Sequence, residues 1–415
     1  MRVLMLSWEY PPHCVGGLAQ HVYELSAALA EEGVEVAVIT AAESDALPAS
    51  ETVRGVEAHR VRPYHGASLN FITWALQLNL AMLEKGIVLL REKEFDIVHA
   101  HDWLSAYAAR GLKHAYHLPL VATIHATEYG RNHGLHTDEQ RFISDIEWWL
   151  TYEAWRVICC SQYMREELQH VFHTPEDKIK VLPNGILPKA YQVSEPDRGL
   201  RRRFAADDEQ IVFFVGRLVQ EKGVQVLLEA VPLIIEQFPR TKFIIAGRGP
   251  YEEELHSHCD RLGLRERVNF TGYIDDRTRN HLYHFAACAV FPSLYEPFGI
   301  VALEGMAART PVVVSDTGGL SEIVNHNENG LKAYCGNARS LADQIRRLLS
   351  DQKLARRLGE AGYQTVLENY SWQGIARNTA LEYKRILSSP QAYQWRSSAA
   401  APRTNLFSHF GRYDH

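Results

Sequence analysis

Two glutamates eight residues apart are the side chains of this sequence best suited to chemistry. Glu296 falls in a loop after an apolar, strand-like run, and Glu304 falls on the helix that the following residues predict. A helix-capping Glu296 and a solvent-facing Glu304 would be the purely structural explanation. Glu304, however, lies among apolar residues, where a carboxylate without partners is costly. We therefore predict that Glu304 accepts hydrogen bonds from ligand hydroxyls, which a ribose diol would supply.

Two cations follow another apolar run, at 211–216. Arg217 stands at its end and Lys222 lies five residues later. Positive charges at the C-terminal end of a strand can stabilise a departing diphosphate, as transfer of a group from a nucleoside diphosphate requires. The alternative is a surface ion pair between Lys222 and Glu221 or Glu252. The glutamate pair favours the phosphate-binding role.

Three loops that contain glycine also follow predicted strands. Their glycines are Gly16 and Gly17, Gly249, and Gly318 with Gly319. Glycine lets backbone amides approach a phosphate or a sugar closely, although plain turns use glycine too. We predict that these glycines line a donor-binding site.

A histidine and an aspartate stand at the ends of two further strands. His125 follows the apolar run 120–124, where a buried structural histidine is the ordinary interpretation. Asp102 and Trp103 follow a second run, and they could bind the hydroxyls and the ring of an acceptor sugar. The alternative is an N-cap aspartate followed by a core tryptophan.

Short apolar strands alternate with helical patterns along most of the chain, which predicts buried parallel sheets of the Rossmann type. The pattern breaks near residue 190 and restarts, and 415 residues exceed what one hydrophobic core usually serves. We predict an α/β fold of two Rossmann-like domains that face each other across a cleft, at 1–187 and 188–375. We expect a helix at 376–389 to cross back to the first domain, and 390–415 to be a surface tail.

Composition excludes several classes of protein. The formal net charge is −6 and no basic arm stands out, so nucleic acid is not an expected partner. The sequence has no run of 18 apolar residues, and its first residues are too polar for a signal peptide. The six cysteines lack CxxC spacing, which predicts reduced thiols in a cytoplasmic protein. No ligand set with metal spacing is evident, so we expect neither a metal nor another cofactor.

The glutamate pair resembles the Glu-x7-Glu signature of retaining glycosyltransferases of family 4, relatives of the glycogen and starch synthases with the two-domain GT-B fold. The most specific part of the match is Tyr-Glu-Pro-Phe-Gly at 295–299. Further matches are Gly-Arg-Leu with Lys-Gly at 216–223, Gly-Gly-Leu at 16–18, and His-Ala-His-Asp-Trp at 99–103. The resemblance extends over about residues 1–385.

The resemblance implies roles for single residues. Its catalytic residues correspond to His125, Glu296, Arg217 and Lys222. The family's second glutamate, here Glu304, holds the nucleotide ribose. Backbone amides at Phe298, Gly299 and Ile300 reach the sugar hydroxyls and the phosphate, while Asp102 and Trp103 lie on the acceptor side. The family needs no divalent cation, because arginine and lysine take its electrostatic role.

Two positions depart from the glycogen synthase pattern. Cys14 stands where that family typically has a lysine before the glycine pair, and Leu104 stands where a histidine often follows the tryptophan. The first departure concerns recognition of the nucleotide base, and the second concerns the acceptor.

We therefore predict a retaining hexosyltransferase that moves glucose from UDP- or ADP-glucose to a sugar or glucan hydroxyl. Its expected partners are a nucleotide-sugar donor and a carbohydrate acceptor. Three alternatives remain open. They are a sugar-nucleotide 2-epimerase of the same fold, a glucan phosphorylase with a pyridoxal phosphate lysine, and a non-catalytic nucleotide-sugar-binding protein.

Overall fold

The first half of the chain builds a sheet of eight strands. The computed structural model describes residues 1–14, 16–42, 44, 46–64 and 70–400. Residues 398–400 are described by their backbone alone. The strands are Arg2–Leu6 (β1), Glu35–Ala41 (β2), Ser50–Val53 (β3), Val56–Val61 (β4), Ile97–His101 (β5), Leu120–Ile124 (β6), Arg156–Cys159 (β7) and Ile179–Val181 (β8). Their order is β3-β4-β2-β1-β5-β6-β7-β8, and every pair is parallel except β3 with β4.

The second half builds a parallel sheet of six strands. They are Gln210–Val215 (β9), Thr241–Ala246 (β10), Val268–Gly272 (β11), Ala286–Phe291 (β12), Val312–Ser315 (β13) and Leu331–Ala333 (β14). Their order is β11-β10-β9-β12-β13-β14. The strands of both sheets are apolar and mostly buried, because helices cover both faces of each sheet. The predicted α/β fold with two Rossmann-like domains is confirmed.

The described residues form sixteen α-helices, of which the last four follow the last strand. They are Gly17–Glu31 (α1), Phe71–Glu92 (α2), Ala106–Tyr116 (α3), Glu128–Arg131 (α4), Asp138–Glu153 (α5), Gln162–Phe172 (α6), Arg198–Arg202 (α7), Val224–Ile235 (α8), Glu252–Arg261 (α9), Asp276–Phe285 (α10), Ile300–Ala307 (α11), Gly318–Ile323 (α12), Ala338–Ser350 (α13), Gln352–Asn369 (α14), Trp372–Leu387 (α15) and Pro390–Ala400 (α16). Short 3-10 turns lie at Trp103–Ser105, Glu176–Lys178, Pro188–Tyr191 and Gln220–Lys222. Within the described chain, no helix combines the length and the apolar character needed to cross a membrane.

The strand order reverses once in each sheet, between β1 and β5 and between β9 and β12. In open α/β sheets, ligands bind beyond the carboxyl ends of the strands at such a reversal. The loops after these four strands carry the glycine pair at 16–17, Asp102, Arg217 and Glu296. The topology therefore brings residues from distant parts of the sequence to one cleft.

Helix α15 returns from the second domain to the first and packs beside α1. Its residues Trp372, Ile375 and Tyr383 belong to the same buried cluster as the apolar face of α1. Helix α16 follows it, and Arg396 pairs with Asp96 at 3.2 Å at the first sheet. Residues 401–415 of the predicted surface tail lie outside the described residues.

Candidate active site

Glu296 and Lys222 form an ion pair at the carboxyl ends of β9 and β12. The ammonium Nζ of Lys222 lies 2.7 Å from Oε2 of Glu296, and the Ser293 hydroxyl donates to the same oxygen at 3.2 Å. The Glu296 side chain is 8% exposed and that of Lys222 is 25% exposed. A buried carboxylate and a more accessible cation thus share one position in the cleft, whereas the ion-pair partners considered for Lys222 from the sequence were Glu221 and Glu252.

The glycines at 318 and 319 hold the loop of Glu296 in place. Gly318 has φ +51°, and a Cβ atom there would lie 2.1 Å from the carbonyl oxygen of Glu296. The amide of Gly319 donates to that same carbonyl oxygen at 2.9 Å. The Gly319 amide is therefore used inside the protein, and the predicted phosphate contact of this loop would need other donors.

Arg217 stands one residue beyond Gly216 at the end of β9, and it is exposed. Among the described residues, none forms a hydrogen bond or an ion pair with its guanidinium. Gly249, on the loop after β10, passes so close that a Cβ atom would lie 2.2 Å from the carbonyl oxygen of Leu218. Close packing against Leu218 thus explains why residue 249 is a glycine. Because the Arg217 guanidinium has no partner among the described residues, its charge stays available for a ligand.

Glu304 lies on α11 with two tyrosine hydroxyls as partners. Tyr191 donates to Oε1 and Tyr283 donates to Oε2, both at 3.1 Å, and Arg279 lies 4.0 Å from Oε2. Burial raises the pKa of Glu304, against the opposing effects of Arg279 and the two hydroxyls. The sequence predicted hydroxyl donors for this carboxylate, and the structure supplies two of them from the protein itself.

The N-terminus of α11 faces the glycine loop of the first domain. Gly299, with φ +109°, precedes the helix, and Ile300 begins it. A Cβ atom at Gly17 would lie 3.1 Å from Cδ1 of Ile300, so the two domains meet at this point. The Gly16 amide donates to the Glu9 carboxylate at 3.0 Å. Phe298 is buried and packs at an angle against Tyr370.

His125 and Asp102 form the opposite wall of the cleft. The His125 amide donates to Oδ1 of Asp102 at 2.7 Å. Asp102 has φ +56° and ψ 174°, a conformation that is strained for any residue other than glycine and that clusters at functional sites. Burial raises the pKa of Asp102 to about 6, with Arg131 opposing it, and lowers the pKa of His125 to about 3.

Trp103 belongs to the hydrophobic core. It is 6% exposed and packs edge-on against Phe71, with ring centroids 5.9 Å apart. The structure therefore favours the core alternative, because a ring buried on both faces cannot stack on an acceptor sugar. Asp102 next to it uses one carboxylate oxygen to hold His125, which leaves the second for other partners.

Three charged residues of this wall were not among the predicted site residues. Arg131, at the end of α4, interacts with the carboxylates of Asp102, Glu147 and Glu128. The Glu147 carboxylate accepts the Glu128 amide at 3.0 Å, and burial raises its pKa to about 8. The signal in the sequence was weak, since Glu147 is one polar residue on an otherwise ordinary amphipathic helix.

Hydrogen bonds join the two domains beside Glu296. The Ser161 hydroxyl donates to the Pro297 carbonyl at 2.6 Å, and Glu322 accepts the first two amides of α6 at 3.0 and 2.8 Å. The Tyr295 hydroxyl donates to Glu167 of the first domain at 2.9 Å. These contacts hold the two cleft walls together.

Beneath His125 lies a group of buried histidines. His21, His101 and His125 each have one ring nitrogen within 4.8 Å of the others. Among the described residues, these three form the group that could hold a metal ion. His101 Nδ1 is 3.2 Å from His125 Nε2, and His21 Nδ1 is 2.6 Å from Asn184 Oδ1. His21 was missed, although it interrupts the apolar face of α1 between Leu18 and Leu25.

The two walls together suit transfer of a group away from a phosphate. One wall carries the cations Arg217 and Lys222, which can stabilise a leaving phosphate. The other carries His125, whose low pKa keeps its imidazole neutral, so that it can donate a hydrogen bond without adding charge. Glu296 lies between them with a cation already beside it.

Two family models cover most of the chain. The model "Glycosyltransferase Family 4" matches residues 15–189, and the model "Glycosyl transferases group 1" matches residues 199–365. The two matches correspond to the two sheets, one to each domain.

Relatives extend over nearly the whole length. An uncharacterized glycosyltransferase of Methanocaldococcus jannaschii is 42% identical, with 92% of this chain and 98% of the relative aligned. A glycogen synthase of Mycobacterium tuberculosis is 36% identical over 94% of this chain and 97% of its own. Among solved structures, a sucrose-phosphate synthase of Thermosynechococcus elongatus superposes with a TM-score of 0.82 at 25% identity, covering 93% of this chain and 99% of its own. The chain therefore belongs to the family 4 glycosyltransferases with the GT-B fold, similar to the glycogen and starch synthases.

Proposed function

We propose that this glycosyltransferase moves a glucosyl group from UDP- or ADP-glucose to a sugar or glucan hydroxyl, with retention of the anomeric configuration. The observation that carries the proposal is the contact of 2.7 Å between Lys222 and Glu296. It puts a cation for the leaving phosphate and a carboxylate for the sugar at one point of the cleft. Both belong to motifs that resemble those of the retaining family.

The names of the relatives support a glucosyl donor. They include a glycogen synthase and, at 30% identity over 93% of this chain, an alpha-maltose-1-phosphate synthase of Mycolicibacterium smegmatis. The HepE protein of Anabaena, whose fold is similar (TM-score 0.75, 20% identity), has been solved in complex with UDP-glucose. The acceptors that these names imply differ from one relative to the next, so we propose the acceptor by class alone.

Attack from the front face of the sugar explains how retention would arise. The acceptor hydroxyl approaches on the side from which the diphosphate leaves, and the departing phosphate oxygen takes its proton. Lys222 and Arg217 stabilise the negative charge that develops on this oxygen. Glu296 and His125 orient the glucosyl group, and the closed cleft excludes water, which would otherwise compete as acceptor.

We also propose that transfer needs no divalent cation and takes place in the cytoplasm. The two cations of the cleft supply the charge that a metal would bring to the diphosphate. Five of the six cysteines, Cys159, Cys160, Cys259, Cys288 and Cys335, are free thiols, which supports a reducing compartment.

A transfer assay tests the proposal directly. Purified protein is incubated with UDP-, ADP- or GDP-glucose and a panel of sugars and glucans, while released nucleoside diphosphate and new glycosides are measured. We expect an α-glucoside, formed at a rate that drops in Lys222→Ala. A β-glucoside would overturn retention, and an epimerised nucleotide sugar without glycoside would overturn transfer.

A further inference from the structure

Three buried histidine rings, His21, His99 and His101, and the half-buried ring of His125 form a column that ends at the cleft. His99 and His101 are two residues apart on β5, and their ring centroids are 4.3 Å apart. The ring of His101 lies beside that of His125. His21 of α1 contacts His125 edge-on, with centroids 4.6 Å apart. Burial holds the pKa of each of the four rings below the usual histidine range. All four imidazoles are therefore neutral at physiological pH, and each carries one proton on one of its two nitrogens.

The partners of these nitrogens restrict where the protons lie. His21 Nδ1 faces the acceptor oxygen of Asn184 at 2.6 Å, so His21 carries its proton there. His101 Nδ1 and His125 Nε2 are 3.2 Å apart, so one of them donates and the other accepts. His101 Nε2 is buried and has no hydrogen-bond partner among the described residues.

The unpartnered nitrogen decides between the two arrangements. If His125 donated to His101, the proton of His101 would lie on Nε2, as a buried N–H without an acceptor. If His101 donates from Nδ1, its Nε2 is a bare acceptor nitrogen. Buried N–H groups without partners are rarer in proteins than unsatisfied acceptors, because they lose a strong hydrogen bond to water. The second arrangement is therefore favoured.

We propose that His101 is a positioning residue that sets the tautomer of His125. Its Nδ1–H donates to His125 Nε2, which leaves the proton of His125 on Nδ1. That nitrogen is not among the buried unpartnered atoms, and His125 is half-buried at the cleft, so Nδ1–H faces the ligand side. His125 then acts as a hydrogen-bond donor to a hydroxyl of the donor sugar and cannot act there as a general base. The sugar contact rests on the proposed function, whereas the tautomer does not.

Nitrogen NMR of the free protein tests the tautomer without any substrate. Protein labelled with ¹⁵N in histidine is examined, and the His125 signals are assigned by their loss in His125→Gln. We expect a pyrrole-like shift for His125 Nδ1 and a pyridine-like shift for Nε2. The reverse pair of shifts would overturn the proposal, and it would leave the transfer assay, and so the proposed function, untouched.

Two variants of similar size separate positioning from packing. In His101→Asn the amide stands where Nδ1 was and can still donate to His125, whereas in His101→Gln it stands where Nε2 was. We expect kcat of His101→Asn to stay within about threefold of the wild type and that of His101→Gln to fall by about 10- to 100-fold. Melting temperatures show whether both variants fold. Equal losses of kcat in two folded variants would contradict a donor role for Nδ1.

A metal at the same histidines would give a different result. Titration with Co²⁺ is expected to produce no visible absorption band beyond that of the free ion. A stoichiometric band that is lost in His21→Gln would mean that His21, His101 and His125 bind a metal. It would overturn the proposal, because a metal shared by the three rings would occupy the lone pair of His125 Nε2 that accepts the His101 proton.

Discussion

The two walls of the cleft are built on opposite principles. On the wall of the second domain, Arg217 is exposed after a strand end, and Lys222 is partly exposed and paired with Glu296. On the wall of the first domain, Asp102 and Glu147 are buried and His125 is half-buried, and desolvation shifts the pKa of each toward its neutral form. The first arrangement keeps charge ready for a ligand. The second disfavours charge and keeps hydrogen bonds.

This contrast matches the two ends of the proposed donor. A diphosphate carries negative charge that grows as it leaves, and Arg217 can meet it without breaking an internal bond, because its guanidinium has no partner among the described residues. A sugar carries neutral hydroxyls, and a neutral histidine that is already oriented can bind one without paying for desolvation of an ion. If the contrast is functional, substitutions on the two walls should change the kinetics of the enzyme in different ways.

The largest effect is expected on the wall of the cations. Arg217→Ala and Lys222→Ala should each lower kcat by about 10²–10³, the usual effect of removing one preorganised charge-stabilising group. Lys222→Ala should also destabilise the fold, since it leaves Glu296 with an uncompensated charge at 8% exposure. Arg217→Ala should not, because its guanidinium has no partner among the described residues.

Steady-state kinetics and thermal melting measure the two variants, with the exposed Arg356→Ala as a charge-matched control. Turnover of either cleft variant within twofold of this control would remove the phosphate-binding role from that residue.

The next largest effect separates the two glutamates. Glu296→Gln should lower kcat by about 10²-fold, since the carboxylate lies beside Lys222 where charge develops. Glu304→Gln should mainly raise the donor KM, by about tenfold, as loss of a contact made equally in ground and transition states does. Steady-state kinetics with varied donor decide between them, and the opposite pattern would reverse the two roles.

Glu304 already accepts two tyrosine hydroxyls, so a structural role must be separated from ribose binding. Tyr191→Phe removes one of these protein donors and keeps the carboxylate. A raised KM in Glu304→Gln alone supports a ligand contact, whereas equal effects in both variants would assign Glu304 to the fold.

The sequence was more informative about the cation wall than about the histidine wall. Glu296, Arg217 and Lys222 lie in short local motifs directly after apolar strands, and parallel strands bring their carboxyl ends to one edge. Those two facts suffice to predict that the three side chains line one cleft, but the ion pair between Lys222 and Glu296 was not predicted. The residues after Glu296 also predicted the helix that carries Glu304, which α11 provides.

Other parts of the site depend on contacts that sequence patterns do not encode. His21 meets His125 through the packing of α1 on the first sheet, 104 positions before it in sequence. The role of Gly319 was also hidden, because a glycine that binds phosphate and a glycine that packs on another loop look alike in a sequence. The role of Trp103 could not be decided from the sequence for a similar reason. Trp103 is buried because it packs against helix α2, and the sequence does not show that contact.

A smaller effect concerns the pH dependence of the buried wall. Asp102 has a pKa of about 6, so its carboxylate is charged above pH 6 and becomes protonated below it. Protonation weakens the bond from the His125 amide, and kcat/KM should therefore fall as the pH drops from 7 to 5. His125 cannot cause this fall, because its pKa of about 3 keeps it neutral throughout the range.

Asp102→Asn should remove this acid limb and lower kcat/KM at pH 7.5 by about fivefold, since an amide oxygen still accepts the His125 amide but without charge. The pH profile of kcat/KM in both proteins is the measurement. An unchanged limb in the folded variant would assign the titration to another group.

The smallest effect is expected from removal of metal ions. Exhaustive treatment with EDTA should leave kcat within about twofold of the untreated enzyme, because Arg217 and Lys222 place their charges where a divalent cation would otherwise meet the diphosphate. The metal that restores activity would show which of the two walls binds it. If activity is lost and Mg²⁺ or Mn²⁺ restores it, the cation wall is incomplete by itself, and a metal must join the diphosphate there. If Zn²⁺ restores it in the wild type but not in a His21→Gln variant, the buried histidines bind the metal, and the first wall carries charge after all.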